Sequence, residues 1–284
     1  MTIGSIGYVV NDGLVRKATE NGLGVYQVLC LRSLGLAGFF WMIGRARGQQ
    51  TTRAHIRRPL VLRVSAEILG AALFFAAIVR LEFANAQAIL QVVPFAVTLA
   101  AAVVLKERVQ FRQYVAIVVG FVGVLIIIRP ATDGFSAWSL AVLGAAALLV
   151  LRELATRNVA ADVPAVSIAF STAVGLAVLT GGLSLFSGWR AVSGESALLI
   201  ALAVGSLAIG YVFTIETVRV GDLSVSAPFR YSILLGAVII GYLLFDEVPD
   251  GLTIVGSSII FATGVYAVQL ERAGERTRRR SSVT

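Results

Sequence analysis

The sequence predicts an all-α integral membrane protein: ten transmembrane helices in two inverted five-helix repeats. Three observations carry that prediction. Hydrophobic residues make up 57% of the 284 and charged residues only 14%, well below the roughly 25% charge of soluble domains. Apolar runs recur along the whole chain, each near the roughly 20 residues that a helix needs to cross a bilayer core. One pattern also occurs twice. Phe74 and Arg80 match Phe213 and Arg219, Glu107 matches Glu247, and Gly123-Val124 matches Gly264-Val265, at offsets of 139, 140 and 141 residues.

Taken in order, the apolar runs place helices at 1–17, 24–44, 63–80, 84–105, 111–129, 136–156, 164–185, 196–218, 223–245 and 251–270. The first is the least apolar, because Asn11-Asp12 interrupts it after a turn or two. Its opening MTIGSIGYVV has neither a basic n-region nor a small-residue cleavage site, so no cleaved signal peptide is expected. Most connections are short, so successive helices run antiparallel. Residues 1–130 then form the first repeat, 131–270 the second, and 271–284 a basic tail. Each half has five spans, and five is odd, so the halves lie upside down relative to each other.

The basic residues set the orientation. Arg45 to Arg63, Lys106 to Arg112, Arg152, Arg157, Arg219 and the arginines of the tail fall on one face, while Arg16, Lys17, Arg80, Arg129 and Arg190 fall on the other. The richer face is expected in the cytoplasm with both termini, in the cell (inner) membrane. The net charge of +8 is thus topological, and no nucleic-acid partner is expected. Cys30 is the one cysteine, which excludes an intrachain disulfide.

Ionisable groups inside a membrane helix are costly, which makes each a functional candidate. Asp12 and Arg32 lie at matching depths below the outer face, as a structural ion pair or as a gate or substrate-carboxylate contact. Arg230, nearer the inner face, has Glu216 and Glu153 in reach, again as a structural pair or a gate. Glu67, a turn inside helix 3, reads as an interfacial group rather than a proton carrier. Gln87, Gln91 and Phe95 share one helical face by their i, i+4, i+8 spacing. That face suits either a cavity wall or interhelix hydrogen bonds. With Asn11, Phe74, Phe75, Tyr211, Thr214, Phe229 and Tyr231 it would enclose an amphipathic chamber. The competing reading of the aromatic residues is simple packing. Gly120, Gly123, Gly236, Gly241 and Gly264 suit close helix approach.

The segments PFAVTLAAAVVLKERV, followed by Gly120 and Gly123-Val124, and YSILLGAVIIGYLLFDEV, followed by Gly264-Val265, resemble the drug/metabolite transporter superfamily. The closest likeness is to its EamA-type ten-helix exporters and, among them, YddG-like amino-acid exporters. In that family each half has a proline-containing helix, a Glu at its end and a glycine-rich helix after it, and Arg32 matches a family arginine. The resemblance implies a hinge at Pro94. It does not carry over to Pro228, which lies 19 residues before Glu247 where Pro94 lies 13 before Glu107. The short lead of helix 1 is a second departure.

His55, the one histidine, sits in a basic loop, so no metal site is expected within the membrane, and no P-loop pattern or cofactor motif is present. The function expected is secondary transport: export of a small metabolite, an amino acid before a polyanion, by the alternating access that inverted repeats support. The expected partners are a small-molecule substrate and the lipid bilayer. A channel, a carrier for another organic solute or drug, and an intramembrane enzyme are the alternatives.

Overall fold

The computed structural model describes residues 2–48, 58–104, 111–129, 136–156, 158–159, 163–220 and 232–281. Eleven helices account for nearly all of them: α1 (Thr2–Glu20), α2 (Val25–Ala46), α3 (Arg58–Ile78), α4 (Phe83–Leu90), α5 (Val92–Val104), α6 (Phe111–Ile128), α7 (Ala137–Thr156), α8 (Ala165–Ser187), α9 (Gly194–Val220), α10 (Ser232–Phe245) and α11 (Gly251–Ser281). Among the described residues no strand is present.

The expected fourth span is broken into α4 and α5 at Gln91, and proline chemistry accounts for the break. Pro94 has no N–H to give the Leu90 carbonyl, and its ring crowds that carbonyl. The chain tightens just before it, and the Gln91 N–H bonds the Ala88 carbonyl at 3.1 Å, an i→i−3 bond. The last helix differs the other way. Residues 271–281, expected as a tail, continue α11, because ERAGERTRRR is built mostly from good helix formers.

Counted with α4 and α5 as one, the described residues form ten helical passes. Among the described residues seven helices, α4 and α5 taken together, meet the length and composition of a membrane span, and Ile233–Phe245 and Gly251–Ala267 are shorter apolar helices. The first helix explains its own weak hydropathy. It packs against α9, α10 and α2 and buries Val9, Asn11, Val15 and Ala18 almost completely, so it faces protein more than lipid. Elsewhere the apolar residues point outward: Val103, Val118, Val178, Phe186, Leu235 and Leu243 are all exposed. In a soluble protein such a surface would be a liability, whereas in a bilayer it is solvated by acyl chains.

The dominant helix contacts are α2 with α8, α3 with α7, α1 with α9, and α6 with α11; lesser ones are α1 with α10, α5 with α7, α3 with α8, α2 with α9, and α4 with α10. Exchanging the first five passes for the last five maps this set onto itself. The α3–α7 contact becomes α9–α1, and α3–α8 becomes α9–α2. That is the pattern of a two-fold-related pair of repeats. Two crossings depend on glycine. A Cβ on Gly7 would lie 2.7 Å from the Ser206 carbonyl oxygen, and one on Gly256 would lie 2.7 Å from that of Gly123.

Candidate functional site

A cavity of about 200 Å³ lies between the halves, walled by α1, α2, α3, α7, α8 and α9, with Leu90 at the end of α4. Its walls are mainly aliphatic and aromatic: Leu36, Phe40, Phe74, Phe75, Leu149, Leu176 and Leu207. Four charged residues line it: Asp12, Arg32, Glu67 and Arg152.

Asp12 and Arg32 meet through a third residue. Arg32 Nη1 donates to Asn11 Oδ1 at 3.2 Å, and Asn11 Nδ2 donates to Asp12 Oδ1 at 2.9 Å. Gln87 Nε2 donates to Asp12 Oδ2 at 2.7 Å. The matching depths inferred from the sequence are present, but the charges are linked by an amide instead of touching. The Arg32 guanidinium carbon lies 5.0 Å from the centroid of the Phe75 ring.

Glu67 is 9% exposed, and each of its oxygens accepts two hydrogen bonds. Oε2 takes Arg63 Nη1 at 2.8 Å and Thr172 Oγ1 at 3.4 Å. Oε1 takes Tyr211 OH at 2.9 Å and Arg152 Nη1 at 3.4 Å. The interfacial reading of Glu67 is therefore corrected: its carboxylate is the centre of a buried network. Arginines long enough to snorkel, Arg63 and Arg152, reach it from positions near the helix ends. Tyr211 is held in place by edge-on rings of Tyr8 and Phe40, at 5.8 and 5.5 Å between centroids.

Of the residues expected to line a chamber, Asn11, Phe74, Phe75 and Tyr211 do so. Gln87 stands one layer back, behind Asp12. Gln91 and Phe95 are buried away from the cavity. The break at Gln91 interrupts the helical register that would align them, and Phe95 fills the space left by Gly120, where a Cβ would lie 2.7 Å from the ring. Glu153 pairs with its neighbour Arg152, Oε1 to Nη2 at 2.5 Å. Its expected partner Arg230 lies outside the described residues, as do Phe229 and Tyr231. Thr214 and Glu216 fall in the last part of α9, whose side chains are likewise outside the description.

Four polar cavity groups escaped the sequence reading: Tyr8, Ser33, Thr172 and the charged side chain of Arg152. Arg63 and Glu67 stand at i, i+4, a spacing that places two side chains together on a helix, and that signal was available. The Arg152–Glu67 contact spans 85 residues and has no local sign.

One end of the bundle, marked by Glu247, is tied across the halves. Glu247 Oε1 accepts Arg16 Nη2 at 2.5 Å and Oε2 accepts the Phe83 N–H at 2.6 Å. Lys17 Nζ donates to the Leu244 carbonyl at 3.0 Å, and Asn21 Nδ2 donates to Glu195 Oε1 at 2.9 Å. Gln27 Nε2 donates to the Arg190 carbonyl at 2.8 Å, while its Oε1 accepts the Arg190 N–H at 3.1 Å. Thr253 Oγ1 donates to Asn85 Oδ1 at 2.7 Å, and Arg129 pairs with Asp250. Every one of these ties joins residues 1–130 to residues 131–270. Asp250 also caps α11, accepting the Thr253 N–H at 2.9 Å. Hydrogen bonds from Thr253, then the Arg129 guanidinium, hold its carboxyl down at about 2. Glu82 is pushed up, by burial first and then by Glu247 and Asp250. Arg80 donates to the Ala76 carbonyl at 3.0 Å and stacks 4.2 Å from the Trp138 ring, a basic group closing a helix C-terminus.

Known proteins resemble this chain in sequence and in fold. The chain is 25% identical to an S-adenosylmethionine uptake transporter of Rickettsia prowazekii over 180 residues, 63% of this chain and 61% of that protein. It is 27% identical to a riboflavin transporter of Rhizobium johnstonii over 81% of this chain and 76% of that one. It is 26% identical to the pseudopaline exporter CntI of Pseudomonas aeruginosa over 91% and 90%. A crystal structure of a protein 20% identical covers 94% of this chain and 96% of its own with a TM-score of 0.65, which shows the shared fold. Residues 2–129 match the EamA-like transporter family, and that match, together with relatives named as transporters and exporters, supports the drug/metabolite transporter superfamily.

Proposed function

We propose that the protein is an alternating-access carrier of small zwitterionic metabolites, amino acids foremost, working as an exporter. The observation that carries this reading is the cavity's charge balance. Asp12 and Arg32, linked through Asn11, and Glu67 and Arg152, in contact with each other, line a mostly apolar chamber. Two charges of each sign suit a solute with one of each and offer no surplus for a polyanion. The volume, about 200 Å³, lies below the roughly 300–1,000 Å³ of pockets that hold drug-sized ligands, which favours a compact solute.

Residues 1–130 and 131–270 are the two moving repeats in this reading, and the break at Gln91-Pro94 is where the fourth pass bends. The ties around Glu247 close one end of the path. By the positive-inside rule that end faces outward and the termini face the cytoplasm. The relatives are named for uptake of S-adenosylmethionine, transport of riboflavin and export of pseudopaline, which supports a small organic cargo.

Counterflow in proteoliposomes tests it. Vesicles preloaded with unlabelled amino acids are expected to accumulate labelled ones saturably without an ion gradient. Conductance without saturable exchange would replace the carrier with a channel.

A further inference from the structure

We infer that Arg32 and Ser33 form a subsite for the carboxylate of the transported solute, with the Asn11–Asp12 pair fixing the arginine from behind. The inference deepens the carrier reading and rests on it for the choice of ligand.

Both residues line the cavity, with 4% of Arg32 and none of Ser33 exposed. Both also carry unused hydrogen-bonding capacity: Arg32 Nε and Ser33 Oγ are buried without a partner among the described residues. Buried polar atoms are normally paired, so an orphan donor calls for an explanation. Two such atoms on adjacent residues of one cavity wall find a common explanation in an absent acceptor. Arg32 Nη1 is spent on Asn11, which leaves the Nε edge, and a guanidinium edge matches a carboxylate in shape and charge. The Phe75 ring beside the guanidinium limits its tilt. The Asp12 carboxylate reaches the guanidinium through the Asn11 amide and does not occupy its Nε edge.

The other charged pole does not compete for this role. Both Glu67 oxygens are doubly occupied, and Arg152 is shared between Glu67 and Glu153. Those arginine charges are already answered by the protein. The solute's carboxylate is therefore directed to Arg32.

Ligand-induced thermal stabilisation of the purified full chain tests the assignment without requiring transport. The probes are leucine, methionine and phenylalanine, each beside its carboxamide and its decarboxylated amine. At least one free acid is expected to bind with an apparent Kd about tenfold or more below that of its amide and amine, the scale of a lost charge-assisted hydrogen bond. Arg32→Gln should abolish that preference. Ser33→Ala, which removes one oxygen and leaves the fold's packing intact, should reduce it severalfold. Acids and amides binding alike, no acid binding, or Ser33→Ala and Arg32→Gln both keeping the full preference would each overturn the subsite. Counterflow of another solute alongside any of these would leave the carrier reading standing. Selective binding lost in Arg32→Gln, with no exchange of any solute, would sink the carrier reading and leave the subsite in place.

Discussion

Glu247 bonds Arg16 through one oxygen and the Phe83 N–H through the other, at 2.5 and 2.6 Å. A single carboxylate thereby ties α1 and the start of α4, both in the first half, to the end of α10 in the second. Its placement rests on a non-glycine residue in left-handed backbone, Asp246 at φ 53°, which turns the chain so that Glu247 points back into the bundle.

Removing this carboxylate should loosen that end. The Arg16 and Glu247 side chains are 10% and 19% exposed. Glu247→Ala leaves the mostly buried guanidinium with Glu20, 3.3 Å away, as its remaining carboxylate partner and should cost about 2 kcal/mol, the scale of a lost charge-assisted hydrogen bond. In the carrier reading it also favours opening at that end. With Cys30 replaced by Ala, a cysteine introduced at Ala71 in the cavity wall should react faster with an impermeant thiol reagent added from the Glu247 side. Unchanged labelling, with the variant folded, would remove the ties from any gating role.

Glu67, Arg63 and Arg152 should behave as one unit. Glu67→Gln leaves two arginines facing a neutral amide, and Arg152→Gln leaves Glu67 with Arg63 as its one charged partner beside Thr172 and Tyr211. Each variant should lower stability by about 2–4 kcal/mol. The double variant should fall short of the sum by about 1 kcal/mol or more, since the residues share one network. Thermal denaturation of the four proteins in detergent measures the coupling.

Opposite outcomes are expected for two glycines, one at the α6–α11 crossing and one in α8. In Gly256→Ala the new methyl would lie 2.7 Å from the Gly123 carbonyl and 2.6 Å from Ile127 Cγ1. Overpacking of that kind costs about 1–3 kcal/mol. Around Gly182, inside α8, a Cβ meets nothing within 4 Å, so Gly182→Ala should be neutral or gain about 0.5–1 kcal/mol of helix propensity. Melting temperatures of the two variants read the contrast.

Asp250 supplies a pH signature. Its carboxyl sits at about 2, against 3.8 ordinarily, so its contribution is fully present above the unfolded value. That contribution should fade as the pH drops from about 4 toward about 2. Asp250→Ala should be less stable than the wild type by a constant margin from about pH 7 to about pH 4, with the gap closing below. Asp250→Asn should recover the helix cap but not the Arg129 pairing. A margin that holds unchanged in acid would show that the charge contributes nothing.

Pro94→Ala restores a backbone donor one turn after Leu90. It should smooth the α4–α5 break with little loss of stability, and in the carrier reading it should slow exchange severalfold. Wild-type exchange rates from a folded variant would dismiss the hinge.

The chain's own pattern determined the class of the molecule and the succession of its passes. Period and length of apolar runs are local properties, and a bilayer leaves helices as the solution that satisfies every backbone group in each run. The doubled Phe-Arg, Glu and Gly-Val spacings already pointed to two related halves, and Asn11, Asp12 and Arg32 were legible as costly polar groups at matching depth. Tertiary structure decided how those groups are used. It put the Asn11 amide between Asp12 and Arg32, turned Phe95 onto Gly120, and drew Arg152 across 85 residues of chain onto Glu67. None of these has a local signature. Each depends on which helix faces which and on how far a long side chain reaches along its stem, and a one-dimensional pattern holds neither.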